Sequence, residues 1–372
     1  MLNKEIIIRN MKSHKVDKSN VQVSEVKSWP KEGLEYVGSC PVCGTTDRRL
    51  MYEGLTDRVF FCAPGEWSLY RCENCASGYL DPRPTKETIH LAYQEYYTHN
   101  STDENTPLSE LGWIRSLRRT IANGYRNAQY GTNYQPASHI GSWLAYLVPA
   151  YRRVLDREMR HLPKPPSDGR LLDVGCGSGA FLKQAEEAGW KVEGVDPDPD
   201  AVKLAQDSGL DVRQGGIEML KNEKKKFDVV TLSHVIEHTH NPRQMIVSCY
   251  RLLKRGGLLW VETPNLDSMG HHKYGRFWRG IEAPRHLVIF TLKSITEMMK
   301  NVGFKKIENK NISYFRNSSH TFEASSKIKN KEDPYSKKSP QYPVFSESLY
   351  AALRSKINPS VAEFITLSAA KP

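Results

Sequence analysis

Residues 171–184, with the sequence LLDVGCGSGAFLKQ, constrain the fold more than any other segment of this chain. Three glycines, at positions 175, 177 and 179, follow a short apolar run and precede a segment with the apolar spacing of an amphipathic helix. This order predicts a strand, a tight turn and a helix N-terminus that can receive a ligand. The glycines alone do not identify the nucleotide, because Gly175, Gly177 and Ala180 also fit the G-x-G-x-x-G/A pattern of nicotinamide-cofactor proteins.

Strand and helix patterns alternate after the glycine turn. The predicted strands are residues 170–174, 190–195, 210–213, 227–232, 258–263 and 304–308, and the predicted helices are residues 179–188, 198–208, 242–254 and 291–302. Such alternation is typical of a parallel sheet with helices on both faces. The sequence therefore predicts an α/β fold with a doubly wound, Rossmann-like sheet.

The chain has 372 residues and a formal net charge of +11, and its composition is typical of a soluble protein. No stretch approaches the roughly 18 consecutive apolar residues of a membrane span, and the N-terminus lacks the apolar region of a signal peptide. We therefore expect no membrane span and a cytoplasmic location. Much of the positive charge lies in residues 1–32, which we interpret as a flexible basic lead.

Four of the seven cysteines form two C-x-x-C pairs, Cys40 with Cys43 and Cys72 with Cys75. Two such pairs can place four thiolates around one zinc ion, and four protein ligands leave no open coordination position. The pattern predicts a structural zinc site in a module formed by residues 33–84. The alternatives are four ordinary reduced thiols or a redox pair.

The remaining segments complete the predicted organisation. Residues 85–165 are interpreted as a helical linker or lid that Pro149 divides, and the run PKPPSDG at 163–169 marks a boundary. Residues 166–372 then form the nucleotide-binding domain, with a long polar excursion at about 313–360 and a final apolar strand in EFITLSAAKP.

Two acidic residues favour a cationic ligand over a dinucleotide. Asp173 ends the first strand, where its carboxylate would repel a pyrophosphate but attract the ammonium group of S-adenosylmethionine. Asp196 ends the second strand, about 20 residues after the first glycine, where a carboxylate can accept both ribose hydroxyls. The alternative for Asp196 is a helix N-cap, although Asp198 or Asp200 is better placed for that role.

Four segments together resemble the successive motifs of class I S-adenosylmethionine-dependent methyltransferases: LLDVGCGSGAFL, VEGVDPDPDAV, FDVVTLSHVIEHTHNP and RLLKRGGLLWVETPN. The cysteine pairs, YLDPRP, YGRFWRGIEAPRHLVIFT and EFITLSAAKP are similar to one bacterial branch of that family with an N-terminal zinc module. The resemblance implies a seven-stranded sheet whose last strand is antiparallel. It implies a cofactor site formed by Asp173, Gly175, Cys176, Gly177, Gly179, Asp196, Pro197, Ile217, Ser233 and His234. The family often has an acidic residue near Ile217, where this chain has Gly215 and Gly216, so that backbone groups or Glu218 take its place.

Three residues are candidates for catalysis at the acceptor. Glu237 and His238 follow the fourth strand, and His286 lies in the loop after the fifth, so all three belong at the ligand-binding edge of the sheet. Either histidine has an ordinary pKa suited to a base at cellular pH. The alternative is that Glu237 and His238 only cap a turn, and that His286 only packs.

Four further residues are candidates for contact with the acceptor. Trp278 and Arg285 could grip a polar or anionic group, and Tyr96 and Tyr97 could cover the pocket. The alternatives are that Arg285 holds its loop to Glu282 or Glu262 and that the tyrosines pack within a helix.

The leading functional hypothesis is methyl transfer to a hydroxyl or carbon of a small molecule, such as a sugar, a polysaccharide precursor or a natural-product intermediate. The alternative enzyme is an RNA methyltransferase that uses the zinc module and the basic lead to bind RNA. No run interleaves arginines with aromatic residues, so we do not expect nucleic acid as the partner. A non-catalytic cofactor-binding module is the third hypothesis.

Overall fold

The computed structural model describes residues 28–93, 113–224, 226–310, 315–336 and 344–372. Within these ranges, none of the helices combines the length and the apolar character that crossing a bilayer requires. The candidate residues Tyr96 and Tyr97, and the predicted lead up to residue 27, lie outside the described residues.

The cysteine-rich front of the chain forms short antiparallel strands. They are β1 (Leu34–Glu35), β2 (Arg48–Leu55), β3 (Trp67–Cys72), β4 (Gly78–Leu80) and β5 (Arg83–Pro84). Strands β2, β3 and β4 pair in sequence order, and β1 pairs with β5. The YLDPRP segment stabilises this region because Asp81 accepts hydrogen bonds from the backbone N–H groups of Val37 and Gly38 and pairs with Arg48.

Three helices connect this region to the main sheet. They are α1 (Trp113–Tyr130), α2 (His139–Leu147) and α3 (Pro149–Glu158). The predicted division at Pro149 is confirmed: proline lacks an N–H, so it occupies the first turn of α3 rather than the middle of a longer helix.

The rest of the chain alternates strands and helices. In chain order these are β6 (Arg170–Val174), α4 (Ala180–Glu187), β7 (Lys191–Asp196), α5 (Pro199–Asp207), β8 (Val212–Gln214), β9 (Phe227–Ser233), α6 (Pro242–Leu252), β10 (Leu253–Pro264), α7 (Met269–Tyr274), β11 (Val288–Ile289), α8 (Leu292–Val302), β12 (Lys305–Asn309), α9 (Phe315–Lys329), α10 (Phe345–Ile357) and β13 (Phe364–Ala370). All six predicted strands and all four predicted helices of this part are present, with bounds that differ by a few residues.

The main sheet has seven strands in the order β12-β13-β10-β9-β6-β7-β8. Strands β6 to β10 are parallel to one another, and β13 is antiparallel to both β10 and β12. The predicted fold class is thereby confirmed. The strand order reverses between β6 and β9, so ligands are expected beyond the carboxyl ends of these two strands.

Residues 33–84, which we call the front module, and the loop after β10 contribute strands to the same small sheet. Strand β11, from the loop after β10, pairs with β4, so the antiparallel sheet has the order β11-β4-β3-β2. The predicted excursion after residue 313 contains the two helices α9 and α10, and Phe322 of α9 packs in the same apolar cluster as Trp67 of β3 and Trp278. This packing fixes the loop after β10 between the two sheets.

Candidate active site at the carboxyl edge of the sheet

The glycine turn after β6 provides an open backbone surface. Gly175 and Gly177 have φ angles of +70° and +55°, a region that favours glycine. A Cβ at Gly175 would lie 2.4 Å from Cγ2 of Val235, whereas a Cβ at Gly177 would meet no atom within 4 Å in the part of the chain that the structure describes. The N–H of Gly177 donates to Oδ2 of Asp196 at 2.7 Å. The turn and the end of β7 are therefore held together, with free space above Gly177.

The carboxylates of Asp196 and Asp198 accept hydrogen bonds from different backbone N–H groups. Oδ1 of Asp196 accepts a hydrogen bond from the N–H of Asp198, while Oδ1 of Asp198 accepts from the N–H of Asp200 in the first turn of α5. Asp198 is the N-cap, as expected from the sequence. A carboxylate offers about four lone-pair positions, so Asp196 retains acceptor capacity for hydroxyl groups.

Asp173 is fully buried and contacts a cation from the helical segment. Its Oδ1 pairs with the guanidinium of Arg160 and accepts a hydrogen bond from the hydroxyl of Thr231 at 2.8 Å. Burial raises the pKa of Asp173, and Arg160 opposes this effect. Among the described residues, none hydrogen-bonds to the buried Oδ2 of Asp173. An unpaired carboxylate oxygen fits the predicted ammonium group of the methyl donor.

The other predicted cofactor residues lie along the same edge. Cys176 is buried with its sulfur over Gly194 of β7, Pro197 is exposed directly after β7, and Ile217 is buried after β8. Ser233 ends β9, and His234 follows it. The structure thus brings these residues to the carboxyl ends of neighbouring strands, and their contacts with the cofactor stay predictions.

His234 lies between two buried carboxylates. Its Nδ1 is 3.3 Å from Oε1 of Glu237 and its Nε2 is 3.3 Å from Oε1 of Glu262. Burial lowers the pKa of His234, but the two carboxylates outweigh burial and raise it to about 9. The φ of His234 is +54°, which is unusual for a residue with a side chain. Glu262 also pairs with Arg157 of α3.

Three predicted catalytic residues meet at one point. One ligand atom each of Glu237, His238 and His286 lies within 4.8 Å of the others, close enough to share a divalent cation. The His238 and His286 ring centroids are 4.8 Å apart. Glu237 is fully buried; its Oε2 accepts from the hydroxyl of Thr263, and its Oε1 lies 3.3 Å from Nδ1 of His234.

The backbone fixes the tautomers of the two histidines. Nδ1 of His238 is 3.0 Å from the carbonyl oxygen of Arg285, and Nδ1 of His286 is 2.8 Å from that of Gly280. A carbonyl oxygen can only accept, so in the neutral rings both Nδ1 atoms carry the proton. Nε2 of His238 can then accept a proton, whereas Nε2 of His286 faces the carboxylate of Glu282. Tyr93 places its hydroxyl 3.1 Å from Nδ1 of His238.

The two histidines differ in environment. His286 is 4% exposed, and burial lowers its pKa to about 4 despite the nearby carboxylate of Glu282, whose Oε2 is 3.5 Å from Nε2. His238 is half-buried. At neutral pH His286 is therefore an uncharged ring beside the more accessible His238.

Arg285 and Trp278 are both buried. The guanidinium of Arg285 pairs with Asp57 of the front module and with Glu282, and it donates to the carbonyl oxygen of Ala92 at 2.7 Å. This arrangement matches the alternative in which Arg285 holds its loop to Glu282; Glu262 pairs instead with Arg157. Nε1 of Trp278 donates to Oε2 of Glu363 at 3.2 Å.

The four predicted metal ligands converge in the front module. The sulfur atoms of Cys40 and Cys75 are 3.6 Å apart, those of Cys43 and Cys72 are 3.5 Å apart, and all four lie within 4.8 Å of one another. A tetrahedral zinc site with bonds of about 2.3 Å separates its sulfurs by about 3.8 Å. The thiol spacing fits a four-cysteine zinc site.

Several functional residues were missed in the sequence. They are Asp57, Tyr93, Arg157 and Arg160, which contact Arg285, His238, Glu262 and Asp173, respectively. Arg157 and Arg160 are spaced three apart before the domain boundary, and this spacing was the available signal.

Comparisons with known proteins agree with this geometry. A family model described as a methyltransferase domain matches residues 146–309. The chain is 30% identical over 158 residues to an uncharacterized protein of Methanocaldococcus jannaschii. The alignment covers 42% of this chain and 73% of that protein. It is also 35% identical over 136 residues to the mitochondrial ubiquinone biosynthesis O-methyltransferase of Rattus norvegicus. That alignment covers 33% of this chain and 39% of the rat protein.

Among solved structures, the chain is similar to a S-adenosylmethionine-dependent methyltransferase from Archaeoglobus fulgidus, with 23% identity and a TM-score of 0.41 over 61% of this chain and 99% of the other. The matched part spans less than half the length of the ubiquinone O-methyltransferases, 39% and 43% in two of them.

The glycine turn, the acidic ends of β6 and β7 and the seven-stranded sheet define a nucleotide-type cofactor site on a Rossmann-like fold. With the matched methyltransferase domain, they show that the chain belongs to the class I S-adenosylmethionine-dependent methyltransferases. The prediction drawn from the sequence motifs is confirmed at the level of the family and its cofactor.

Proposed function

We propose that this protein transfers the methyl group of S-adenosylmethionine to a hydroxyl or carbon nucleophile of a small molecule, with His238 as the base. Two acceptor classes are consistent with the proposal: the sugar-like molecules expected from the sequence, and aromatic hydroxyls, since ubiquinone biosynthesis O-methyltransferases are among the relatives. The observation that carries the proposal is the 3.0 Å contact between Nδ1 of His238 and the carbonyl oxygen of Arg285, which favours the tautomer with an unprotonated Nε2.

The donor side of the site is proposed to bind the cofactor through two carboxylates. Oδ2 of Asp173 is buried, has no hydrogen-bond partner among the described residues and suits the ammonium group, while Asp196 retains acceptor capacity for the ribose hydroxyls. Arg160 pairs with one oxygen of Asp173 and opposes the rise in pKa that burial causes, so it favours the ionised carboxylate. When bound, S-adenosylmethionine supplies a methyl group on a positively charged sulfur.

The acceptor side is proposed to hold the nucleophile beside His238. Its Nε2 lone pair takes the proton that the acceptor loses, and the proton then resides on an imidazolium near the buried carboxylate of Glu237. His286, which is neutral at pH 7, lines this side of the site without adding charge. The reaction is a displacement, so the alignment of nucleophile and methyl carbon supplies much of the acceleration, on the order of 7–11 kcal/mol.

The front module is proposed to bind one zinc ion through Cys40, Cys43, Cys72 and Cys75. The thiol spacing supports this role, and four protein ligands leave the metal without an open position for catalysis. The metal then stabilises the sheet that β11 completes, and it positions the loop that carries Arg285 and His286.

Formation of S-adenosylhomocysteine from S-adenosylmethionine tests the proposal. The full-length protein is incubated with a panel of phenolic and catecholic compounds, nucleotide sugars and bulk RNA, and the product is measured by mass spectrometry. We expect turnover with a small acceptor, and a loss of about 10²–10⁴-fold in kcat for His238→Gln with unchanged cofactor affinity by calorimetry. Turnover with RNA alone, or His238→Gln at full activity, would contradict the proposal.

A further inference from the structure

The half-buried ring of His234 lies between two carboxylates from different elements of the sheet edge. Glu237 belongs to the turn after β9, and Glu262 belongs to β10. Nδ1 of His234 faces Oε1 of Glu237 and Nε2 faces Oε1 of Glu262, each at 3.3 Å. An ionised carboxylate only accepts hydrogen bonds, whereas a neutral imidazole has a single N–H group. The geometry therefore favours the imidazolium form of His234, and the two carboxylates raise its pKa to about 9 although burial lowers it.

The backbone of His234 is held in the left-handed region, with a φ of +54°. This conformation is uncommon for residues with a side chain, although histidine and asparagine adopt it more readily than most. The N–H of His234 donates to the carbonyl oxygen of Glu262 at 2.9 Å, which fixes the residue against β10. Residues held in sparsely populated backbone regions cluster at active sites and ligand clamps. The unfavourable conformation thus occurs at the residue whose ring lies between the two carboxylates.

Glu262 extends this series of charges to the helical segment. Its Oε2 accepts from Nε of Arg157 at 3.0 Å, and its Oε1 accepts from Nη2 of the same guanidinium at 2.5 Å. The charges therefore alternate in sign from Arg157 of α3 through Glu262 and His234 to Glu237. On the β13 side, the ring of Phe364 packs edge-on against the ring of His234, with centroids 5.1 Å apart.

The other end of the series reaches the candidate base. Oε2 of Glu237 accepts from the hydroxyl of Thr263 at 3.0 Å, while one ligand atom each of Glu237, His238 and His286 lies within 4.8 Å of the others. The backbone carbonyl oxygen of Glu237 accepts from the N–H of Leu287 at 2.8 Å, directly after His286. The placement of the Glu237 carboxylate therefore determines which charge lies beside the two histidines.

We propose that His234 is a positioning residue for methyl transfer: its ring holds the Glu237 carboxylate beside His238, where the proton of the acceptor is received. This inference rests on the proposed function, because it takes His238 as the base. Stability alone explains the arrangement poorly, since buried ion pairs can often be replaced by apolar residues without loss of stability. Contact of His234 with the cofactor, as expected from the sequence, does not account for the two carboxylates that flank its ring.

The variant His234→Asn tests the inference in the full-length protein, because asparagine tolerates a positive φ and carries no charge. We expect kcat to fall about tenfold or more, since misplacement of a group at the site can cost about 10²-fold. The affinity for S-adenosylmethionine in calorimetry should change little. The matched control is His320→Gln, which replaces an exposed histidine of α9 and should leave both quantities unchanged. Full activity of His234→Asn would contradict the inference, as would a loss of cofactor affinity that accounts for the whole loss of turnover.

A spectroscopic measurement needs no acceptor and therefore separates this inference from the proposed function. In nitrogen-15 spectra of the protein labelled at histidine, His234 and His238 are assigned by the signals that His234→Asn and His238→Gln remove. At pH 8 a histidine with an ordinary pKa near 6.5 is neutral, so a ring protonated at both nitrogens is distinctive. We expect such a ring for His234, and we expect the signals of His238 to shift in His234→Asn but not in His320→Gln.

The variant Glu237→Gln provides a second measurement that keeps the shape of the side chain. It removes one of the two carboxylates that face His234, so the ring should lose its proton at a lower pH than in the unmodified protein. The inference is wrong if His234 is neutral at pH 8, or if its replacement leaves the signals of His238 unchanged. Failure of the proposed function would instead appear as an unmodified protein without turnover of any small acceptor, and the spectra would still decide whether His234 holds Glu237 beside His238.

Discussion

The guanidinium of Arg160, just beyond α3, forms an ion pair with the fully buried carboxylate of Asp173 at the end of β6. The same guanidinium lies 3.7 Å over the ring of Phe181 in α4 and donates to the hydroxyl of Thr231. One side chain from the helical segment therefore contacts a strand, the neighbouring strand and the helix after the glycine turn. The helical segment thus contributes contacts at the edge of the sheet where the cofactor is proposed to bind.

Replacing Arg160 by leucine should destabilise the protein strongly at neutral pH. The substitution leaves the Asp173 carboxylate buried without its cation, and such a loss typically costs about 3 kcal/mol or more in the free energy of unfolding. Chemical denaturation monitored by circular dichroism measures the change. The control is Lys191→Leu, which removes the cation of an exposed pair with Asp168 and should cause no measurable change.

The destabilisation caused by Arg160→Leu should be larger at neutral pH than near pH 4. Burial already raises the folded-state pKa of Asp173, and loss of Arg160 raises it further. A carboxyl with a raised folded pKa favours folding only at pH values below its unfolded pKa of about 3.9, and this contribution is lost as the pH rises. The difference between variant and unmodified protein should therefore shrink toward pH 4. An equal difference at pH 4 and pH 7 would show that Asp173 is not its source.

Replacing Asp196 by alanine should weaken the binding of S-adenosylmethionine by tenfold or more. The substitution removes the acceptor that we propose for the ribose hydroxyls and also the bond that holds the N–H of Gly177. Isothermal calorimetry measures the affinity. Asp198→Ala is the control, because it removes the N-cap of α5 and should cost about 1 kcal/mol of stability with little change in affinity. Equal affinities of Asp196→Ala and the unmodified protein would refute the ribose role.

Replacing Cys72 by serine should release zinc and lower the melting temperature. The unmodified protein should contain about one zinc ion per chain, since its four thiol sulfurs converge on one point. Elemental analysis and thermal unfolding measure the two effects. Cys62→Ser is the control: Cys62 lies near Asp57 and outside the four-thiol group, so its replacement should leave the metal content unchanged. A correctly folded unmodified protein without metal would remove the zinc assignment.

The main sheet could be predicted because its signals are local. Each parallel strand is a short apolar run, and Asp198 with Pro199, Asn241 with Pro242 and Thr291 with Ser294 mark the starts of the next helices. The glycine turn is predictable for the same reason, since positive φ angles at Gly175 and Gly177 exclude most other residues. These features require knowledge only of neighbouring residues.

The contacts between distant segments could not be predicted. Asp57 and Arg285 are 228 residues apart in sequence, and Tyr93 and His238 are 145 apart, so no periodic pattern links them. The burial of Arg285 depends on β11 joining β4, which is a property of the assembled fold. The sequence alone therefore left open whether Arg285 contacts the acceptor or holds its loop.

Replacing His286 by glutamine should make the stability of the protein less sensitive to acid. Burial lowers the folded-state pKa of His286 from 6.5 to about 4, so between these pH values the unfolded chain binds the proton and the folded protein does not. Stability is therefore lost as the pH falls from about 6.5 to about 4, by about 3 kcal/mol at most from this residue, since one pKa unit corresponds to about 1.4 kcal/mol. Glutamine does not titrate, so the difference in unfolding free energy between pH 7 and pH 4 should be smaller in the variant. Buried His271, whose pKa burial also lowers to about 4, should still contribute in the variant, so part of the loss of stability on acidification should remain. If His286→Gln and the unmodified protein lose stability equally on acidification, folding does not lower the pKa of His286, which contradicts the environment described for this ring beside His238.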